Sequence, residues 1–366
     1  MTELDDLRAA VREFLQAASP SGTVRQLMAT EAGYDQSVWR QMACELGLHG
    51  IAVPEEWGGA GAGMPELVVV FEEMGAALLC SPFFSTVALA TQAILTSGDR
   101  AAMEEFLPTF VDGTCTATLI LNGQLNAWDA AAVTLTAAHD GDGYRVSGDA
   151  PLVLDGHTVD LLLVVANTHA GTSLFAIAAD SPGVEREPLA SLDRTRKVAR
   201  IRFEGAPGRL IGTDGSAAPG LARTSDLAVV ALAAEQVGAA QRCLDMAVGY
   251  AKDRIQFGRA IGSFQAIKHR CADMLVLVEG ARSAVVHAAE VADGPDLATA
   301  AAVAVAKMTC SDAFLQVALD NMRIHGGIGF TWEHDAHLYV RRAKTTELIF
   351  GTPDYHAQRL ADLVST

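Results

Sequence analysis

Several stretches of this chain carry side chains that could do chemistry. Trp332-Glu-His-Asp-Ala-His337 gathers imidazoles and carboxylates within one turn's length, a set able to ligate a metal. Arg341, Arg342 and Lys344 follow as a short basic cluster, which reads as an exposed helix face or an interface salt bridge before it reads as a phosphate site. Ile51-Ala-Val-Pro-Glu-Glu-Trp-Gly-Gly-Ala-Gly-Ala-Gly63 offers a glycine run of the kind that cradles a dinucleotide. That motif needs a strand before it, a helix opening directly from it and an acidic residue about twenty positions on. Pro54 and the charged pair Glu55-Glu56 break any preceding strand, so the run reads as a turn. Arg254-Ile-Gln-Phe-Gly-Arg-Ala-Ile-Gly-Ser-Phe-Gln-Ala-Ile-Lys-His269 sets arginines and glutamines among glycines and aromatic residues. Leu348-Ile-Phe-Gly-Thr352, in contrast, has no titratable side chain.

These residues must be held by elements, and the hydrophobic period changes twice along the chain. Residues 1–112 read as a helical domain: Leu4, Leu7, Val11, Phe14 and Leu15 recur at helical spacing, as do Val38, Trp39, Met42 and Leu46 before a stop at Gly47. Leu67, Val68, Phe71 and Met74 mark a further helix. Residues 113–211 read as a β domain, a small barrel or sandwich. Its short runs are Thr116–Leu121, Tyr144–Ser147, Leu161–Ala166, Leu174–Ala179 and Ala199–Phe203, separated by turns rich in Gly, Asp and Pro. Residues 220–366 are helical again, with long helices expected over Leu221 to Arg254, Phe264 to Ala292 and Asp296 to Asn321. Their small residues allow the close approach of a four-helix bundle. The fold class is α+β and multidomain: an N-terminal helical domain, a central β-barrel or sandwich, and a C-terminal four-helix bundle.

Bulk properties narrow the function. At 366 residues the chain exceeds the usual size of one hydrophobic core. A formal charge of −17 argues against nucleic acid, whose phosphates require clustered Lys and Arg, and against anionic membrane surfaces. Cys44, Cys80, Cys115, Cys243, Cys271 and Cys310 lie far apart and read as reduced core thiols of a cytoplasmic protein. The acidic, amphipathic start, Met-Thr-Glu-Leu-Asp-Asp, is unlike a signal or transit peptide. The Ala-rich run Leu297–Val305 is too short to span a bilayer.

The domain order and a series of local motifs resemble the acyl-CoA dehydrogenases, flavoenzymes that oxidise acyl thioesters, over essentially the whole chain. Trp39 through Gly59, Glu72-Glu-Met-Gly75 and Leu107-Pro-Thr-Phe-Val-Asp-Gly113 are similar to family patterns in the first domain. The bundle adds Arg254–His269, Ala272-Asp-Met274 and Ile324-His-Gly-Gly-Ile-Gly-Phe330. The resemblance implies removal of a proton from the acyl α-carbon and of a hydride from the β-carbon to FAD. Such chemistry needs donors on the thioester carbonyl and a carboxylate base. It uses no metal, and the family uses Trp332–His337 as a turn into a helix.

Family members place the base at one of two positions, and both are inert here. The Glu before Gly-Thr is replaced by Phe350. The alternative, on the helix about 26 residues before the arginine motif, falls on Ala228, with Val229 where an arginine often follows. Asp226 lies two residues away, and i and i+2 point to different helix faces. In the β domain, the Thr-Glu-Pro-x-x-Gly-Ser-Asp-like turn is replaced by Leu119-Ile-Leu-Asn-Gly-Gln-Leu-Asn126. The Gly-x-Lys-x-Trp-Ile-Thr/Ser element that packs on the flavin ring is replaced by Gly148-Asp-Ala-Pro-Leu-Val-Leu154. The half of the cofactor site that family members supply in trans, gripping the neighbour's pyrophosphate and adenosine, is retained. Arg254, Gln256, Phe257, Gln265, Gly326 and Gly327 match it, and Arg323 stands where Gln is common.

The resemblance therefore points to a non-catalytic partner subunit. It would pair with a paralogue that carries the base and binds most of the acyl-CoA, in an α2β2 assembly with FAD shared across the interface. Paired subunits occur in the family among actinobacterial enzymes of steroid side-chain CoA catabolism, and the Ala-rich, Lys-poor composition suits such a source. Two other readings stay open: a self-sufficient homotetrameric flavoenzyme with an unusual base such as Asp226, and a flavin-free scaffold or regulatory protein of the same fold.

Overall fold

A computed structural model describes residues 2–121, 129–141, 143–294 and 296–365. Helices α1 (Glu3–Ala18), α2 (Ser21–Leu27), α3 (Gln36–Cys44) and α4 (Met64–Ala77) come first. Helix α5 (Gln92–Thr96) continues π-helical turns over Phe84–Thr91, and α6 (Arg100–Val111) follows. Capping explains several starts: Thr2 and Asp5 form a reciprocal capping box on α1, and Asp35 and Asp99 cap α3 and α6. Gly47 adopts a left-handed φ of 63°, just beyond α3.

Seven strands follow: β1 (Ala117–Ile120), β2 (Thr136–Asp140), β3 (Gly143–Leu154), β4 (Leu161–Asn167), β5 (Thr172–Ala178), β6 (Val184–Pro188) and β7 (Val198–Ile211). Of the two β architectures expected, the barrel forms. The sheet runs β4-β2-β3-β7-β5 and returns to β4, closing through the pairing of Thr136 with Asn167. Strand β1 adds parallel to β4, and β6 adds antiparallel to β7. The interior holds Leu135, Val146, Leu162, Val164, Phe175, Ile201 and Phe203, all buried. Each such side chain contributes roughly 1.5–3 kcal/mol relative to exposure. Strands β2 and β6 were not expected from the sequence; β2 buries only Ala137, so its apolar alternation is too weak to read.

The last region comprises α7 (Ala218–Asp253), the short strands β8 (Ile255–Gln256) and β9 (Arg259–Ala260), then α8 (Gln265–Glu290), α9 (Asp296–His325), α10 (Ala336–Leu348) and α11 (Pro353–Val364). Helix α9 continues one turn past the expected end at Asn321. Helices α7 and α9 are long and apolar enough to cross a membrane by length and composition, which corrects the reading of Leu297–Val305 as too short a run; 89% and 61% of their apolar windows are buried inside the protein.

Two compact units emerge. One contains Arg25–Gly63 and Cys80–Ala228, with the barrel at its centre. The other contains Met1–Val24, Met64–Leu79 and Val229–Thr366, so α1 and α4 belong with the bundle helices. In the latter unit α4 and α7 cross with their backbones in contact. A Cβ on Gly75 would strike the carbonyl of Glu235, and one on Gly238 would strike that of Glu72. The bundle core is stitched by polar pairs: Gln236 Nε2 donates to Ser311 Oγ at 3.1 Å, and Arg342 is ion-paired with Glu235. The second pair corrects the reading of the basic cluster. Arg342 is 2% exposed and faces inward, whereas Arg341 lies over the Trp332 ring and Lys344 pairs with Glu347. Of the cysteines, Cys80, Cys243 and Cys310 are core thiols as expected, but Cys44 is exposed and Cys115 and Cys271 are only half-buried.

Candidate functional site

The end of α7, the start of α8 and the end of α9 meet at one end of the helical unit, because consecutive helices run antiparallel. Tyr250 on the last turn of α7 stacks on His325 at the end of α9, with ring centres 4.4 Å apart. Asp320 on α9 accepts from Gln316 at 2.7 Å and pairs with Arg323 at 2.9 Å and with Arg270 of α8 at 3.4 Å. All seven residues expected to hold a cofactor lie on these three termini.

Arg254 directly follows α7 and is exposed. Its carbonyl accepts from the Ile261 amide at 2.8 Å, closing a two-residue hairpin whose tip is Phe257-Gly258. Both tip residues have positive φ, 53° and 75°, the geometry of a type I′ turn. For phenylalanine this conformation costs on the order of 1–3 kcal/mol, and the ring is 91% exposed. Gln256 donates its amide to the Ile255 carbonyl at 2.9 Å. Phe264 is met edge-on by Phe257, and the Arg259 guanidinium lies 4.2 Å over its ring.

Gln265 is exposed as the first residue of α8. The N-cap position is Phe264, which supplies no side-chain acceptor; the Ile267 amide donates to the Phe264 carbonyl at 3.1 Å, and the Gln265 and Ala266 amides of this 26-residue helix remain available to a ligand. An uncapped helix N-terminus beside an exposed arginine suits a pyrophosphate. Gly326, with φ 64°, and Gly327 follow α9, and a Cβ on either would meet nothing within 4 Å. That surface is open to close approach. Arg323 differs from the others, since Asp320 already draws its guanidinium back along its own helix. The residues present thus fit the pyrophosphate-adenosine half of FAD.

The described part of the flavin-ring half offers no ring-packing side chain. Asn122–Asn126 lie outside the described residues. Gly148–Leu154 lies in β3, with a register shift between Ala150 and Val153. Val153 and Leu154 are fully buried, and the stretch presents neither a ring nor a hydroxyl. The base positions are likewise apolar and enclosed: Ala228 and Phe350 are both 0% exposed. Asp226 is half-buried on the early turns of α7. Among the described residues no group of three or more His, Cys, Asp or Glu side chains is arranged to hold a metal ion.

One group escaped the sequence reading. Lys307 is fully buried in α9, and its ammonium donates to Ser311 Oγ at 3.0 Å and to the Thr346 and Glu347 carbonyls at 2.8 and 3.1 Å. It thereby caps the end of α10, immediately before the Phe350 loop. Burial pushes its pKa down to about 7. A lone lysine among alanines and valines gives no sequence signal of such a role.

The acyl-CoA dehydrogenase N-terminal domain matches residues 1–114, and the acyl-CoA dehydrogenase C-terminal domain matches residues 226–364. Acyl-CoA dehydrogenase IpdE2 of Mycobacterium tuberculosis is 34% identical, covering 97% of this chain and 95% of its own. The ChsE4-ChsE5 complex of Mycobacterium tuberculosis contains a chain with 31% identity and a TM-score of 0.90, covering 100% of this chain and 98% of that one. A variant of the Tcur3481-Tcur3483 steroid ACAD is similar at 32% identity and a TM-score of 0.87, covering 99% and 98%. Butyryl-CoA dehydrogenase of Megasphaera elsdenii, at 24% identity and a TM-score of 0.91, shares the fold. With both terminal domains matched and full-length relatives above 30% identity, the chain belongs to the acyl-CoA dehydrogenase family.

Proposed function

We propose that this chain is the non-catalytic subunit of a heteromeric acyl-CoA dehydrogenase, pairing with a paralogue in an α2β2 assembly. The observation that carries the reading is an asymmetry. The pyrophosphate-adenosine surface around Arg254, the α8 N-terminus and Gly326-Gly327 is open and polar, while both base positions are enclosed and apolar. When bound, FAD accepts the hydride. The paralogue supplies the carboxylate base and the ring site, and binds most of the acyl-CoA. Arg254 and the first amides of α8 hold negative charge on the diphosphate, with Gln256 and Gln265 as further polar contacts. Phe257 projects from the hairpin to be covered by the neighbour, and Gly326-Gly327 lets its backbone or the nucleotide approach closely.

The relatives support the substrate class. One is described as a steroid ACAD, and another belongs to a ChsE4-ChsE5 complex. By analogy the assembly acts on CoA esters of steroid side chains, where a subunit without its own acyl site leaves room for a bulky polycyclic group. Free cysteines and the strong negative charge support a cytoplasmic protein that binds neither nucleic acid nor membranes.

Expressing the chain alone and with a paralogue that carries an intact Glu-Gly-Thr loop or helix Glu tests the reading. Alone, it should purify with little or no flavin and no acyl-CoA oxidation. Together, the pair should bind one FAD per heterodimer. A yellow homotetramer that reduces dye with an acyl-CoA would overturn the proposal.

A further inference from the structure

A recess of about 910 Å³ opens within the helical unit between α1, α4, α7, α8 and α10. It is separate from the hairpin end that carries Arg254, and its size is that of a small-molecule pocket, roughly 300–1,000 Å³. In a chain of net charge −17, this recess gathers Arg8, Arg12, Arg242 and Arg282. The α4-α7 glycine crossing sets Glu72 and Glu73 into its floor, each 5% exposed. Arg12 grips Glu73 with two bonds of 2.9 and 2.8 Å. Arg8 reaches Glu72 at 2.6 Å and Glu73 at 3.1 Å, and Arg282 pairs with Glu72.

The floor therefore sets three guanidiniums against two carboxylates. Burial, followed by the nearness of Arg8 and Arg12, pushes the Arg282 pKa down, so the cations crowd one another. Arg242 adds a fourth charge, and the Tyr339 hydroxyl is its hydrogen-bonding neighbour. Among the described residues no carboxylate is ion-paired with it. Two further acids stand at the rim. Asp245 is exposed and accepts from Gln241 at 2.9 Å, and Asp335 accepts from Ser21 at 2.7 Å. Arg242 is exposed at the same rim, so solvent screens it and Asp245 alike, while the floor charges are screened less.

We propose that this recess binds a small oxyanion, a phosphate- or carboxylate-bearing molecule, held by Arg242 and Arg282. A guanidinium presents five N–H donors in a planar fork that matches either group. Arg242 has most of its fork open, and an anion beside Arg282 relieves the repulsion among the floor cations.

The test is calorimetric titration of the co-expressed complex with inorganic pyrophosphate and, separately, with citrate. Saturable binding of either probe is expected, weakened at least about tenfold by Arg242→Ala and only partly by Arg242→Lys, in line with loss of a charge-assisted pair. Binding of pyrophosphate alone assigns the phosphate class, and binding of citrate alone the carboxylate class. Arg242 lies outside the floor ion pairs, so Arg242→Ala preserves them. Arg254→Ala is the control for the cofactor site and should leave this binding unchanged. No saturable binding up to about 10 mM, an affinity too weak for a built site, would overturn the proposal. So would binding that is insensitive to Arg242→Ala, or that is lost only with Arg254→Ala. The partner-subunit reading is judged separately, by flavin content.

Discussion

His356 Nε2 donates to the carbonyl oxygen of Phe350 at 2.8 Å, and both residues are fully enclosed. The bond holds Phe350 at a φ of 59°, a left-handed conformation that side-chain-bearing residues seldom adopt. The loop is thus built around an inward-packed aromatic ring, and the ring cannot be exchanged for a base without dismantling its seat.

Phe350→Glu should accordingly fail to create an oxidase or dehydrogenase, and it should also destabilise the fold. It trades buried aromatic packing for a carboxyl group in an apolar site, a change in the class that costs roughly 3–5 kcal/mol. Steady-state turnover with acyl-CoA and the thermal midpoint measure the two effects. Turnover with an unchanged midpoint would mean that the loop faces a working site.

Arg254→Ala in the co-expressed complex should reduce bound FAD by about ten- to a hundredfold in affinity, the equivalent of a charge-assisted contact of roughly 1.5–3 kcal/mol. Arg254→Lys should recover part of this. Alanine at the paralogue's equivalent arginine should change little, because that residue would face this chain's incomplete ring site. Flavin absorbance per heterodimer after gel filtration reads all three. Equal losses from the two arginines would refute a single shared cofactor.

Lys307 makes stability depend on pH in a definite direction. Its folded-state pKa, about 7, lies below the ordinary lysine value of 10.5. Between those values the unfolded chain retains a proton that the native state has shed, so stability rises with pH, by at most ~1.4 kcal/mol per unit. Below about 7 both states are protonated and the contribution is flat. The thiols of Cys115, Cys243 and Cys310 are pushed up by burial and work in the opposite direction once unfolded thiols ionise, above roughly pH 8.5. Denaturant titrations between pH 7 and 8.5 should therefore show a positive slope that Lys307→Met removes. A slope unchanged in the variant would assign it to another group.

The Arg342–Glu235 pair, 2% and 7% exposed, should be costly to break and cheap to replace. Glu235→Gln or Arg342→Met alone removes the ion-pair partner of a buried charge, at about 3–5 kcal/mol, whereas the double replacement should regain much of that loss. A double-mutant cycle in urea measures the coupling. Additive losses would show that the two charges do not depend on each other.

What the sequence made legible followed from period and motif. The long helices of the bundle and the β region could be read because their apolar spacing is distinctive, and the Arg254–His269 segment by its residue order, though not its hairpin. The π-helical turns at Phe84–Thr91 could not, since every residue there is buried and no face alternates. Strand β6 pairs only with β7 at one side and buries none of its residues fully, so it resembles a loop. At the site, the exposed residues Arg254, Gln256, Phe257 and Gln265 were recognisable by motif. The inward turn of Arg342, the tether of Arg323 to Asp320 and the capping role of Lys307 were not. The roles of Arg342 and Lys307 depend on partners from other helices, and adjacent positions such as Arg341 and Arg342 look alike in one dimension; the Arg323 tether is an i,i+3 pair within α9 that the motif, which has Gln at this position, does not announce.

The helical unit is assembled from three separated pieces of chain, and this bears on its synthesis. Helix α4 leaves the ribosome with its apolar face made and with Glu72 and Glu73 already in place. The helix it crosses, and Arg282 that neutralises Glu72, are translated far later. At roughly 5–20 residues per second the delay is on the order of ten seconds or more. During that interval a nascent segment with ten eventually buried residues has, of its own unit, only α1 to cover it, through Arg8 and Arg12 on Glu72 and Glu73. It must be shielded by a chaperone or wait in loosely collapsed form until the C-terminal helices arrive.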